Sequence, residues 1–179
     1  MRVRGTGMFR LDGMADLYWR ARGASVFDIG CNRGAVSYDM ALAGAAKVDG
    51  CDIYEEGVRT ARELFADLRD VKSLFEVVDL TGGPAALKPF AGRQYDITLC
   101  LATYHKLKRA MPEAALSELM AHFGRQTRGW FAWRGTSDKA AENDAEIAAL
   151  DADLGRAGLA RIHTSYISAE LGAAAIWGR

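Results

Sequence analysis

Ser25-Val26-Phe27-Asp28-Ile29-Gly30-Cys31-Asn32-Arg33-Gly34-Ala35-Val36 is the stretch whose reading decides the fold. Val26 to Ile29 is a short apolar run with one carboxylate, the pattern of a buried strand. Gly30, Asn32 and Gly34 follow at alternate positions, and a helix-compatible segment begins at Ala35. Strand, small-residue turn and helix together bring backbone N–H groups and a helix N-terminus close to a ligand. Glycine permits that approach because it lacks a Cβ and accepts positive φ. Asn32 holds the middle place, and asparagine is among the few non-glycine residues that tolerate the left-handed region.

Outward from this turn the chain alternates strand and helix. The helix opened at Ala35 buries Val36, Met40 and Ala43 and stops at Gly44. Strands are predicted over Ala46 to Ile53, Ser73 to Val78, Tyr95 to Leu101 and Thr127 to Arg134. Helices are predicted over Glu56 to Leu68, over Pro112 to Phe123, and from a Ser137 cap to Gly155. The last helix carries Asp138, Glu142, Asp144, Glu146 and Asp153, read as a solvated face. Ala160 to Ile167 and Ala173 to Trp177 read as strands whose link, Ser168 to Gly172, is too short for a crossover helix. That pair must be antiparallel. The predicted fold is α/β: a three-layer, doubly wound, mostly parallel seven-stranded sheet that ends in an antiparallel hairpin. Residues 1–179 make one domain, with 1–24 as a short basic arm and helix and 25–179 as a Rossmann-like core. Arg2, Arg4, Arg10, Arg20 and Arg22 give the arm its charge, and Met14 to Arg22 its short helix.

The opening motif, an acid followed by alternating glycines, resembles that of the class I S-adenosylmethionine-dependent methyltransferases. Asp28, Gly30 and Gly34 match it and Asn32 departs at the middle glycine. The competing dinucleotide pattern G-x-G-x-x-G would need its third glycine where Ala35 stands. A nicotinamide-dependent oxidoreductase is therefore the disfavoured alternative, and the closing hairpin weighs against it too. A carboxylate before the turn suits a cofactor bearing a sulfonium and an ammonium. The resemblance implies S-adenosyl-L-methionine as cofactor, held by Asp28, Gly30, Cys31, Asn32, Gly34, Asp52, Ile53, Asp79, Leu80 and Leu101. Asp52 stands about 20 residues beyond the turn, where such folds place an acid on ribose hydroxyls. Asp49 is the weaker candidate, further back in the strand. Asp79 has two readings: an acid on the adenine amino group, or the cap of the turn Thr81-Gly82-Gly83-Pro84.

The loop after the fourth strand, Ala102 to Leu107, is where the resembled family faces the transferred methyl group. Tyr104 and His105 are the catalytic candidates there, His105 as a base for a hydroxyl acceptor. The tetrapeptide of amino-methyltransferases acting on bases, Asn or Asp, two residues and an aromatic, is missing. A small-molecule acceptor is expected; a nucleic acid or protein acceptor, and a catalytically silent cofactor-binding subunit, are the open alternatives. Arg33, Lys106, Lys108, Arg109 and Arg134 sit at strand ends, which leads us to expect a basic rim and an anionic acceptor; solvated surface cations are the plain alternative.

Basic and acidic residues balance at 23 each, so no global charge announces a polyanionic partner or a membrane. No apolar run reaches membrane-spanning length and the start lacks a signal-peptide core, so a cytoplasmic protein is expected. Cys31, Cys51 and Cys100 lack metal-ligand spacing; they read as small buried hydrophobes that could converge, and no metal is expected. Nothing in the sequence bears on oligomeric state.

Overall fold

The chain alternates β and α elements because its apolar residues switch between strand and helix periodicity. The computed structural model describes residues 11–168 and 172–179. The expected arginines Arg2, Arg4 and Arg10, and the hairpin link 169–171, lie outside the described residues. In order come α1 (Asp16–Arg20), β1 (Ser25–Ile29), α2 (Ala35–Leu42), β2 (Lys47–Asp52), α3 (Glu55–Phe65) and β3 (Lys72–Val77). A run of 3₁₀ turns (Leu80–Phe90) leads to β4 (Tyr95–Leu101), α4 (Tyr104–Ala110), α5 (Glu113–Gln126), β5 (Thr127–Arg134) and α6 (Ala140–Gly155). The chain closes with β6 (Ala160–Ser168) and β7 (Gly172–Gly178).

The seven strands form one sheet in the order β3-β2-β1-β4-β5-β7-β6. β1 to β5 pair in parallel, and β7 pairs antiparallel with both β5 and β6. The expected doubly wound, hairpin-terminated sheet is what the chain adopts. Strand order reverses between β1 and β4, and the carboxyl ends of strands at such a reversal flank a crevice.

Successive β1 side chains enter opposite layers. Val26 joins Val48, Ile97, Leu99, Met40, Val58 and Phe65 under α1, α2 and α3. Phe27 and Ile29 join Phe90, Tyr95, Phe123 and Leu116 on the face covered by the 3₁₀ run, α4, α5 and α6. Phe27 stacks on Tyr95 with centroids 4.8 Å apart. This double burial explains why the central strands read as near-continuous apolar runs.

Two regions depart from expectation. The 3₁₀ run and α4 both appear where the sequence predicts loop. Pro84 and Pro89 keep the first from becoming an α-helix. The second departure is α6, where Glu146 and Asp153 are buried and not solvated. Asp153 accepts hydrogen bonds from the Ser117 hydroxyl on α5 at 2.6 Å and from Arg156 at 3.0 Å. Burial raises the Glu146 carboxyl above its ordinary value, and Lys108 partly offsets that. The N-cap of α6 is Lys139; the Ser137 hydroxyl, two residues before it, accepts the Lys139 N–H.

Candidate active site

The turn after β1 is built on three left-handed residues at alternate positions: Gly30 (φ 76°), Asn32 (φ 50°) and Gly34 (φ 75°). Asn32 thus adopts the conformation expected of the missing glycine. The N–H groups of Gly30 and Cys31 both donate to the Cys51 carbonyl, at 2.8 and 3.0 Å, which draws the turn onto the end of β2. Asp52 completes the link: one oxygen accepts the Asn32 N–H at 2.8 Å and the other the Tyr54 N–H at 2.9 Å.

A cavity of about 500 Å³ opens at the carboxyl ends of the strands. Asp28, Gly30, Cys31 and Asn32 line it from the first strand and turn, Asp52 and Ile53 from the second. Asp79 and Leu80 come from the third strand's end and Leu101 from the fourth. The fold therefore gathers these sequence candidates around one space. Gly34 is not among them. It caps α2, and a Cβ there would meet the Ala61 Cβ at 2.8 Å, so this glycine serves the α2–α3 contact. Asp49 also stays away, buried further down β2 against Arg93 and Tyr95.

Asp28 is buried and accepts the Ser37 hydroxyl of α2 at 2.6 Å. Asp79 does cap its turn: one oxygen accepts the Thr81 hydroxyl at 2.7 Å and N–H at 2.9 Å. Those bonds hold its carboxyl below the ordinary aspartate value. It faces the cavity as well, so both readings of Asp79 are compatible with its position.

The cavity's fourth wall is helical where the sequence predicts a loop, and Lys106 is the part of it foreseen, as a member of the basic rim. Thr103, Lys106, Leu107 and Ala110 line it, spaced i, i+3, i+4, i+7 along one face of α4. Because the segment is helical and not a loop, Tyr104 and His105 turn away from the cavity. Tyr104 is buried in the core, its hydroxyl pKa raised by burial first and by Asp153 and Glu146 next. His105 places its Nδ1 3.3 Å from the Thr136 hydroxyl. Burial, then Arg109 and Lys106, lower its pKa and favour the neutral imidazole. The structure does not bring either catalytic candidate to the cavity.

Ala102 is a further unforeseen element. It lines the cavity with φ 58°, an uncommon conformation for a residue with a Cβ, at the step between β4 and α4. Next to it the Thr103 hydroxyl lies 3.1 Å from the Ile29 carbonyl and 3.3 Å from that of Leu101, tying the tips of β1 and β4 together. Of the expected basic rim, Arg33 and Lys106 line the cavity. Arg134 is buried, and Arg109 turns back to the His105 carbonyl.

The three cysteines do gather around the β1 tip, since Ile29 pairs with Cys51 on one side and Cys100 on the other. All are buried free thiols. Burial raises each pKa, that of Cys100 to about 12, so they stay protonated. Among the described residues no group of three or more His, Cys, Asp or Glu is placed to hold a metal ion.

The chain is 44% identical over 64 residues to a ubiquinone biosynthesis O-methyltransferase of Neisseria meningitidis serogroup C (strain 053442), a match covering 36% of this chain and 25% of that protein. The aligned part is thus about a quarter of that relative's length. Its fold matches magnesium protoporphyrin IX methyltransferase from Synechocystis PCC 6803 with bound SAH, with TM-score 0.65 and 21% identity over 94% of this chain and 81% of the other. It also matches N-methyltransferase NodS from Bradyrhizobium japonicum WM9 in complex with S-adenosyl-l-homocysteine, with TM-score 0.71 and 12% identity over 95% and 85% of the two chains. Residues 26–124, more than half of the chain, match the methyltransferase domain family. The chain belongs to that family, the class I methyltransferases that use S-adenosylmethionine.

Proposed function

We propose that this cavity holds S-adenosylmethionine and that the chain transfers its methyl group to a hydroxyl of a small-molecule acceptor. The observation that carries the reading is the convergence of Asp28, the Gly30–Asn32 turn, Asp52 and Asp79 on one cavity at the sheet's switch point. The donor set fits the cofactor chemically. Three carboxylates line a space that would take a ligand bearing a sulfonium and an ammonium, and the missing Cβ of Gly30 lets the Thr103 side chain pack against the turn. When bound, the cofactor supplies a methyl whose bond to sulfur breaks as its bond to the acceptor oxygen forms, the hydroxyl proton leaving to water.

The chain's own contribution is positioning. In this reading Asp52 presents its remaining lone pairs to the ribose hydroxyls, and Asp28 faces the ammonium end. Gly30 and Ala102 let the backbone approach the reacting centre, and Thr103 keeps the β1 and β4 tips from separating. The small, hydroxyl-bearing acceptor is supported by the ubiquinone biosynthesis O-methyltransferase relative. Among the described residues no helix is long and apolar enough to cross a membrane.

Calorimetric titration with S-adenosylhomocysteine and, separately, NAD tests the cofactor assignment. S-adenosylhomocysteine should bind and NAD should not; the reverse would return the chain to the oxidoreductases. Asp52→Ala is expected to weaken S-adenosylhomocysteine binding by about 1–3 kcal/mol, the cost of losing hydrogen bonds to a charged acceptor. Unchanged affinity would remove Asp52 from the ribose.

His105 calls for a different expectation, because its ring lies outside the cavity lining. A general base contributes typically ~10²–10⁴-fold. Turnover by His105→Ala should stay within about tenfold of the parent, in an assay following labelled methyl from the cofactor to 3,4-dihydroxybenzoate. A hundredfold drop with cofactor affinity intact would reinstate His105 as the base.

A further inference from the structure

Charges of both signs line the cavity. Its acids all come from the strand-end side, namely Asp28, Asp52 and Asp79, and each already accepts hydrogen bonds from the protein. Its cations are Arg33, in the turn between β1 and α2, and Lys106, on α4. Lys106 is exposed, and among the described residues its ammonium has neither a hydrogen-bond nor an ion-pair partner. Arg33 is exposed too, and its pKa is raised by Tyr54 and then Glu56, which are themselves joined by a 2.8 Å hydrogen bond from the Tyr54 hydroxyl.

A cation projecting into a cavity without a counter-ion is a ready partner for a negative ligand. The sulfonium and ammonium of the donor match the three acids, which leaves the cations to an anionic group. Leu107 and Ala110 stand beside Lys106 on the same helix face and offer an apolar surface next to the charge. That combination suits a molecule with a flat or apolar body and one anionic group. The other cations expected at the rim take no part: Arg134 is buried and does not line the cavity, nor do Lys108 and Arg109.

We propose that the methyl acceptor is a small carboxylate-bearing molecule, and that Lys106, assisted by Arg33, binds its carboxylate and sets acceptor specificity. The inference rests on the assignment of this cavity to methyl transfer. Acceptor affinity should then depend on salt, because the cations are solvent-exposed.

The test uses the full chain saturated with S-adenosylhomocysteine, titrated by calorimetry with two matched pairs: benzoate and benzamide, 3,4-dihydroxybenzoate and 3,4-dihydroxybenzamide. Each acid should bind at least tenfold tighter than its amide, and the preference should shrink at high salt. Lys106→Gln should abolish the preference and Arg33→Gln reduce it, with S-adenosylhomocysteine affinity unchanged within about twofold in both. Equal affinity for acid and amide, or no binding of either, overturns the proposal. So does a Lys106→Gln variant that keeps the acid preference but loses cofactor affinity tenfold, since Lys106 would then hold the cofactor's own carboxylate. Failure of the parent chain to bind S-adenosylhomocysteine at all would instead sink the underlying assignment of the cavity, and the proposal with it.

Discussion

Gly30→Ala is expected to reduce S-adenosylhomocysteine affinity at least a hundredfold, about 3 kcal/mol. Two separate costs combine at this residue. Its φ of 76° places an alanine in the left-handed region, at roughly 1–2 kcal/mol. The added Cβ would also press into the Thr103 hydroxyl and approach Thr103 Cγ2 at 2.9 Å, an overpacking cost of about 1–3 kcal/mol. Thr103 cannot yield freely, because its hydroxyl sits against the carbonyls of Ile29 and Leu101. Moving it spreads the β1 and β4 tips between which the cavity opens. Calorimetry on the variant, supported by thermal melting to verify the fold, gives the measurement. Gly30→Ala/Thr103→Ala removes the hydroxyl and methyl clash but leaves the backbone strain, so it should recover part of the loss. A single variant that binds as the parent does would show that close backbone approach at residue 30 is irrelevant to the site.

How much of this site could be read in advance follows from the range over which each residue acts. The alternating turn residues declare themselves because positive φ is a local demand that few residue types meet. The acids at 52 and 79 were legible because a parallel sheet puts its strand ends in one place, whatever the helices between them do. Helix α4 was not legible. It has seven residues, its N-cap Thr103 makes no side-chain capping bond, and Tyr104 and Leu107 are both buried, one in the core and one at the cavity. A helix buried on two sides shows no clean amphipathic stripe. Missing it rotated the assignment by a residue or two: the side chain presented to the cavity is Lys106, and His105 is not. The buried Glu146 and Asp153 failed to show for another reason. An acidic helix face reads as solvated unless its partners are known, and Ser117 stands 36 residues from Asp153 in the chain.

Asp49 illustrates the same limit and carries the largest stability effect expected. It lies three residues before the ribose candidate in β2 and is fully buried, with Lys47 at 2.9 Å, Arg93 at 2.8 Å and the Tyr95 hydroxyl at 2.8 Å, all on one carboxylate oxygen. Removing one partner of a buried ion pair costs ~3–5 kcal/mol when the other charge is left stranded. Here Lys47 and Arg93 are about a quarter and a third exposed, so both can turn to water and the cost is discounted. The Tyr95 hydroxyl cannot, since Tyr95 is buried and stacked on Phe27. An unsatisfied buried hydroxyl costs about 1–3 kcal/mol. Asp49→Ala should therefore destabilise the chain by about 3 kcal/mol in total, with the orphaned hydroxyl as the larger share. For a domain of this size that corresponds to a fall in Tm of about 6–12 °C. Adding Tyr95→Phe removes the orphan, so the double variant should be more stable than Asp49→Ala alone by about 1 kcal/mol. S-adenosylhomocysteine affinity at low temperature should stay unchanged throughout, because Asp49 does not line the cavity. Urea denaturation of the single and double variants measures both quantities. If Tyr95→Phe adds to the loss, the ion pairs carry the energy and the hydroxyl does not. If Asp49→Ala weakens cofactor binding while the fold holds, the acid acts on the site through β2, and the distinction between a structural aspartate at 49 and a binding aspartate at 52 fails.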